Sequence, residues 1–273
     1  MRNLNLKRRD KAAGTVRFDG PFNKGKQIED NTFHSKVGRT PVVVSSKRIK
    51  HFDSHFGRRG DALHIANSDP NKVGELISKI SRAGVLVPEF SAFFEKPEEH
   101  GIDYAYERIG RKSLVKNRET NQNTLSKYLS DFANKDSSDP SYVKQLRALL
   151  SSTARSMGTI HRLKILHSHP HFNNFIPVKS RVGVIDFYLA REVNVNWSNP
   201  QSIVYEFRPD YAYLTSNFER IGQRCKPERL KVFDSLRTYF FRKLVERYPT
   251  SDENKRKVLR TLLDWSDRTS KII

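Results

Sequence analysis

Cysteine is nearly missing from this sequence: among 273 residues there is one, Cys225. A single thiol excludes a disulfide framework within the chain and any zinc site built on several cysteines. It suits a reducing compartment, so a cytoplasmic protein is expected. Acidic charge is also scarce. Thirty Asp and Glu stand against fifty Lys and Arg, giving a formal net charge of +20 and a pI near 10.1. A surplus that large implies an anionic partner: nucleic acid, nucleotide phosphate or an acidic membrane surface. The cations are spread along the chain, with clusters at Lys7-Arg8-Arg9 and Lys255-Arg256-Lys257, and no stripe names a nucleic-acid-binding motif. No apolar run approaches the roughly 20 residues of a membrane span, and the N-terminus lacks a signal-peptide apolar core. Internal repeats, low-complexity tracts and the glycine signature G-x-G-x-x-G are absent too.

What is present is a polar chain with ample aromatics, 36% hydrophobic and 29% charged. That composition fits a globular fold rather than disorder, as one large domain or two small ones. Residues 1–33 are basic and punctuated by Gly14, Gly20, Pro21 and Gly25, which predicts a loose N-terminal arm with room for one hairpin. The β-branched run Thr40–Ile49 suits a strand. In "SDPNKVGELISKISRAG", Ser68 or Asp69 can cap, Pro70 fits the first turn, and Val73, Leu76, Ile77 and Ile80 share one helical face that Gly84 ends. "VLVPEFSAFF" and "DYAYERI" read as strands. The second half is mostly helical. Val143, Leu146, Leu149, Leu150, Met157 and Ile160 mark a long helix, and further helices are expected over 210–221, over 228–247 and after Ser251-Asp252. A mixed lobe followed by a helical lobe makes an α+β protein, divided at about residue 110 into an N-lobe over 34–110 and a C-lobe over 111–273.

The long helix runs into "ILHSHPHFNNFI" (Ile165–Ile176), where three histidines and two asparagines crowd between apolar ends. Two chemistries compete for it. On a strand, His167, His169 and His171 would project to one side, as the zinc site of a histidine-metal hydrolase could use, with Asp186 as a fourth ligand in space. Pro170 inside the run opposes a central strand. The other chemistry is phosphoryl transfer, in which metal ions bridging the phosphates need oxygen ligands. Asn174, and Asp186 in "VIDFYLAR", are an amide and a carboxylate of that type.

Read together, the loop His167–Phe175 and the strand Ile185-Asp186-Phe187 resemble the catalytic loop and metal-binding strand of the protein-kinase-like superfamily. The nearest branches are the RIO-like, sugar-kinase and lipopolysaccharide-core-kinase ones, whose loop is written H-G-D-L-H-P-G-N-I before a strand ending I-D-F. The resemblance spans roughly residues 40–220, with specific motifs only over 161–191. It implies a two-lobed kinase-like fold binding ATP and Mg²⁺, with Asn174 and Asp186 on the metal, His167 bracing the loop and His171 at a position often histidine in sugar and antibiotic kinases. His169 departs from the family: it stands where an aspartate accepts the substrate hydroxyl proton, and a neutral imidazole can also accept one. The resemblance further places Lys47 on the phosphates with Lys50 as fallback, Glu75 as the lysine's partner, and backbone groups from Glu107 to Ile109 on adenine. Gly20 and Gly25 could flank a phosphate-covering turn. Asp210, in "FRPDYAYLTSNF", resembles a helix start in the core kinases and equally an ordinary cap. The implied activity is phosphotransfer to a protein, sugar or lipid-linked saccharide hydroxyl. The implied partners are ATP and an anionic acceptor or RNA, with peripheral contact to an anionic membrane. A noncatalytic nucleotide-binding pseudokinase is the alternative.

Overall fold

The protein is described from a computed structural model that covers residues 15–17, 27–29, 32–37, 40–48, 70–88, 91–96, 101–107, 124–134, 139–179, 181–187 and 189–269. The chain divides into two compact units, Met1–Thr120 with Ile185–Ala190, and Asn121–Val184 with Arg191–Ile273. The segment carrying Asp186 groups with the N-terminal unit.

The first unit contains a six-stranded sheet in the order β1-β5-β6-β4-β3-β2. Its strands are β1 (Thr15–Arg17), β2 (Gln27–Glu29), β3 (Thr32–Val37), β4 (Thr40–Arg48), β5 (Ser91–Lys96) and β6 (Gly101–Glu107). Only β1 and β5 pair in parallel; the other neighbours are antiparallel. β4 carries the valine run and lies between β3 and β6, as its β-branched residues favour. β1 and β2 fall inside the segment read as an arm, each three residues long and too short to leave an alternation signal. Helix α1 (Pro70–Arg82) packs against β1 and β5. Val73, Leu76, Ile77 and Ile80 are all buried, as their spacing predicts. Gly84 has φ +85, the left-handed conformation a glycine supplies without steric cost.

The second unit is helical: α2 (Leu125–Asn134), α3 (Pro140–Arg162), α4 (Pro200–Glu206), α5 (Arg208–Gly222), α6 (Pro227–Val245) and α7 (Asp252–Thr269). Three of these match the expected helices after residue 208, and α3 matches the long one. α2 and α4 are additional. Asp139 caps α3 through Ser141 N at 2.8 Å, and Ser251 caps α7 through Asn254 N at 3.2 Å. The core is aromatic. Phe172, Phe218, Phe240 and Phe241 are buried and meet largely edge to face, with Phe172 and Phe218 at 4.9 Å and Phe240 and Phe241 at 5.4 Å. Four short strands complete the unit: β7 (Ile165–Leu166), β8 (Phe175–Val178), β9 (Arg181–Val184) and β10 (Arg191–Glu192). β7 pairs with β10, and β8 with β9 as a hairpin. Among the described residues no helix is long and apolar enough to cross a membrane.

Candidate functional site

The histidine stretch lies where α3 gives way to the small strands. Lys164 turns the chain at φ 60, β7 follows for two residues, and the loop 167–171 leads into one 3-10 turn, Phe172–Asn174, and then β8. Ser168 adopts φ 67. A left-handed non-glycine residue is uncommon and concentrates at sites where surrounding structure holds it.

What holds it is Asp210. This carboxylate is wholly buried in the first turn of α5, and it receives three donors. His167 N lies 3.0 Å from Oδ2, Ser168 N 2.7 Å from Oδ1, and His161 Nε2 2.9 Å from Oδ2. Asp210 is therefore no helix cap. It reaches across from α5 to fix the backbone of the loop, and the sequence reading as an ordinary cap is corrected: the residue before α5 is Phe207, without a side-chain cap bond.

The network continues inward. His161 Nδ1 lies 2.7 Å from the Tyr248 hydroxyl, which lies 2.7 Å from the Tyr211 hydroxyl. A carboxylate only accepts, so His161 Nε2 carries a proton toward Asp210. A neutral ring then accepts at Nδ1 from Tyr248 O–H, whose oxygen accepts from Tyr211 O–H. Every member is satisfied in this single direction, as a buried polar network requires. Burial pushes both phenols above the usual tyrosine range. The imidazole also stacks on Phe207 at 4.0 Å between centroids.

Two more α5 residues meet the loop at helical spacing from Asp210. Tyr213 lies edge-on to the His169 and His171 rings at 5.1 and 5.0 Å, and Asn217 Oδ1 lies 3.5 Å from Phe172 N. Asp210, Tyr213 and Asn217 are i, i+3 and i+7, one stripe of α5. The sequence reading named the first and missed the other two, although D-x-x-Y-x-x-x-N carries the period. Thr124, just before α2, donates to Asn173 Oδ1 at 3.2 Å.

Within the loop, Asn174 Nδ2 donates to His169 O at 2.8 Å. A carbonyl only accepts, so the amide nitrogen must face it, and Oδ1 is the branch turned elsewhere. The same carbonyl receives His171 N at 2.8 Å. Asn174 is buried; His169 and His171 are half-buried, with ring centroids 4.7 Å apart.

The zinc-nest reading fails on this geometry. The segment after Leu166 is a turn rather than a strand, so the three imidazoles do not alternate to one side. His167 points inward, fully buried, and its Nδ1 lies 3.3 Å from His169 N. Among the described residues no group of three or more His, Cys, Asp or Glu could hold a metal ion.

Asp186 sits two residues past β9, buried at φ +69 between buried Ile185 and Phe187. Asp tolerates this backbone region better than most residues. The other expected site residues lie in the first unit. Lys47 is on β4 opposite Ile102, and Glu107 ends β6 opposite Val42, five rungs or about 17 Å along the sheet from Lys47. Their side chains, and Lys50, Ile109, Gly20 and Gly25 entirely, lie outside the described residues. Glu75 is exposed on α1, away from its buried face.

No protein-family model matches the chain, and no curated protein matches it. Among solved structures, one described as WaaP in complex with acyl carrier protein is similar at 18% identity, over 92% of this chain and 88% of that one, with a TM-score of 0.49.

Proposed function

We propose that the protein is an ATP- and Mg²⁺-dependent phosphotransferase of the protein-kinase-like kind, acting on the hydroxyl of a protein, sugar or lipid-linked saccharide. The observation that carries this reading is the loop His167–Asn174, clamped from below by Asp210 and closed on itself by Asn174 Nδ2 at His169 O. A clamped loop is what positioning chemistry needs, because phosphoryl transfer asks for orientation and charge compensation more than covalent help.

By residue type the proposed donors suit a hard divalent cation. Asn174 Oδ1 and the Asp186 carboxylate are oxygen ligands of the type Mg²⁺ takes beside nucleotide phosphates. Bound there, Mg²⁺ would offset the charge of the phosphates. In this reading His169 accepts the proton of the attacking hydroxyl through its imidazole, Tyr213 and His171 fix the plane of that ring, and Lys47 reaches the phosphates from β4. Glu75, Glu107 and Ile109 remain nucleotide-side candidates on the resemblance alone. The half-buried His169 ring, held edge-on by two others, favours a second reading: a nucleotide-binding protein in which that ring serves structure and no phosphate moves.

Melting temperature measured with ATP, with and without Mg²⁺, tests the shared part. ATP about tenfold above its Kd stabilises by about 1.4 kcal/mol, a rise of roughly 3–6 °C for a chain this size. The rise should need Mg²⁺ and vanish in Asp186→Ala and Asn174→Ala. An equal rise without the metal, or an undiminished one in both variants, overturns the proposal.

A further inference from the structure

Helix α3 has 23 residues and no Asp or Glu. Arg147, Arg155 and Arg162 are exposed on it and fall within one quadrant of the helix at 100° per residue. They span fifteen residues, about 22 Å of axis. Helix α6 packs alongside, and Gly158 lets it come close: a Cβ there would stand 2.6 Å from Leu244 O and 2.7 Å from Arg247 Cβ. That approach brings exposed Arg247 beside the α3 cations. At the other end Tyr239 joins the helices, with the Arg147 and Arg242 guanidinium groups 5.1 and 5.6 Å from its ring and Lys243 Nζ at 5.8 Å. Among the described residues, Glu246 is the one carboxylate paired with any of these six cations, taking Lys243 at 2.7 Å and Arg242 at 3.9 Å.

We propose that this band along α3 and the end of α6 is a docking surface for the phosphate backbone of nucleic acid, bound by charge rather than by base identity. Five of its six cations are arginines, whose planar fork matches phosphate oxygens. Half-buried Ser151 falls inside the same quadrant, and its hydroxyl can donate to phosphate. An exposed apolar anchor is lacking. Among the described residues the exposed large hydrophobics are Tyr205, Leu230 and Val232, on α4 and the start of α6. A bilayer surface takes an apolar face into its headgroups, and a protein partner centres on exposed apolar or aromatic anchors; the one aromatic of this band, Tyr239, is half-buried under its cations. It does not depend on the phosphotransfer reading.

Fluorescence anisotropy of the full chain with a labelled single-stranded 20-mer, read from low to high salt, is the test. Binding should fall linearly in log–log form. Arg155→Ala with Arg162→Ala removes two phosphate contacts and should make the slope shallower by about 1.4, which at 0.1 M salt is a loss of about 25-fold. Arg155→Lys with Arg162→Lys should keep the wild-type slope. Arg256→Ala with Arg260→Ala removes equal charge from exposed positions on α7 and should change little. No binding at about 50 mM salt, or an equal loss in the α7 pair, overturns the proposal. So does binding to phosphatidylserine vesicles that the α3 pair abolishes while the oligonucleotide is unaffected.

Discussion

Replacing Asp210 by alanine removes one carboxylate and orphans three donors: buried His167 N and His161 Nε2, and half-buried Ser168 N. A buried donor left without a partner costs about 1–3 kcal/mol, so the sum is about 3–9 kcal/mol. The histidine can recover part of this by changing tautomer, because Tyr248 can accept from Nδ1 as well as donate to it, but the two backbone amides cannot. A domain's whole stability is about 5–15 kcal/mol, so Asp210→Ala should be severely destabilised or unfolded. Asp210→Asn is the informative variant. Its amide oxygen, placed where Oδ2 stands, can still serve both His167 N and His161 Nε2, while its NH₂ faces the Ser168 N–H. One lost bond, at about 1–3 kcal/mol, should lower the urea midpoint without changing the m-value. Hydrogen exchange at His167 and Ser168 locates the effect: both amides should be protected in the wild type, and Ser168 should lose protection selectively in Asp210→Asn. A variant within about 0.5 kcal/mol of wild type, with both amides still protected, would refute the clamp.

Two further predictions rest on other parts of the second unit. Gly158→Ala gains up to about 1 kcal/mol of helix propensity, but its Cβ would overlap the Leu244 carbonyl, a backbone atom that cannot swing aside. Overpacking of about 1–3 kcal/mol should win, so urea unfolding should show net destabilisation; a more stable variant would show that α3 and α6 are not so close. Absorbance at 295 nm during an alkaline titration checks the buried phenols. Burial pushes Tyr142 up to about 12, where its hydroxyl donates to Tyr128 O at 2.8 Å, and it pushes Tyr211 and Tyr248 up as well. These phenols hold their protons more tightly folded than unfolded, so their contribution is intact below pH 10 and is lost as the pH rises from 10 through 12. At least three of the ten tyrosines should stay protonated while circular dichroism reports a folded chain near pH 11. Complete titration near pH 10 without unfolding would contradict the buried network.

The residues explain which parts of this architecture could be read in advance. α1 was legible because Val73, Leu76, Ile77 and Ile80 mark one face and Gly84 marks the end, all local signals. α3 was legible for the same reason. α4, at seven residues, is too short to show a period, and its marker is the Asn199-Pro200 start. α2 carried Leu125, Leu129 and Phe132 at helical spacing, but polar flanks on both sides hid them. β1 and β2 exist through pairing, β1 with β5 some seventy-five residues later, which no local window contains. The site divides likewise. The loop, Asn174 and Asp186 were singled out as candidates by residue type and spacing. The clamp did not, since Asp210 finds its partners 42, 43 and 49 residues away, and Tyr248 meets His161 across 87. Alternating histidines suggested a metal nest only as long as the segment was taken for a strand. Pro170 was the residue arguing otherwise, and the turn it sits in points His167 inward.

Transfer of labelled γ-phosphate is the direct measurement of the central claim. Purified protein would be incubated with labelled ATP and Mg²⁺, and with candidate protein, sugar and saccharide-lipid acceptors. Turnover should appear in the wild type, fall by at least about a hundredfold in His169→Ala, as loss of a proton acceptor does, and be undetectable in Asp186→Ala. Transfer that persists undiminished in both variants would contradict the assignment of this loop as the reaction centre. Mg²⁺-dependent ATP binding without transfer to any acceptor would leave a nucleotide-binding protein and remove the catalysis.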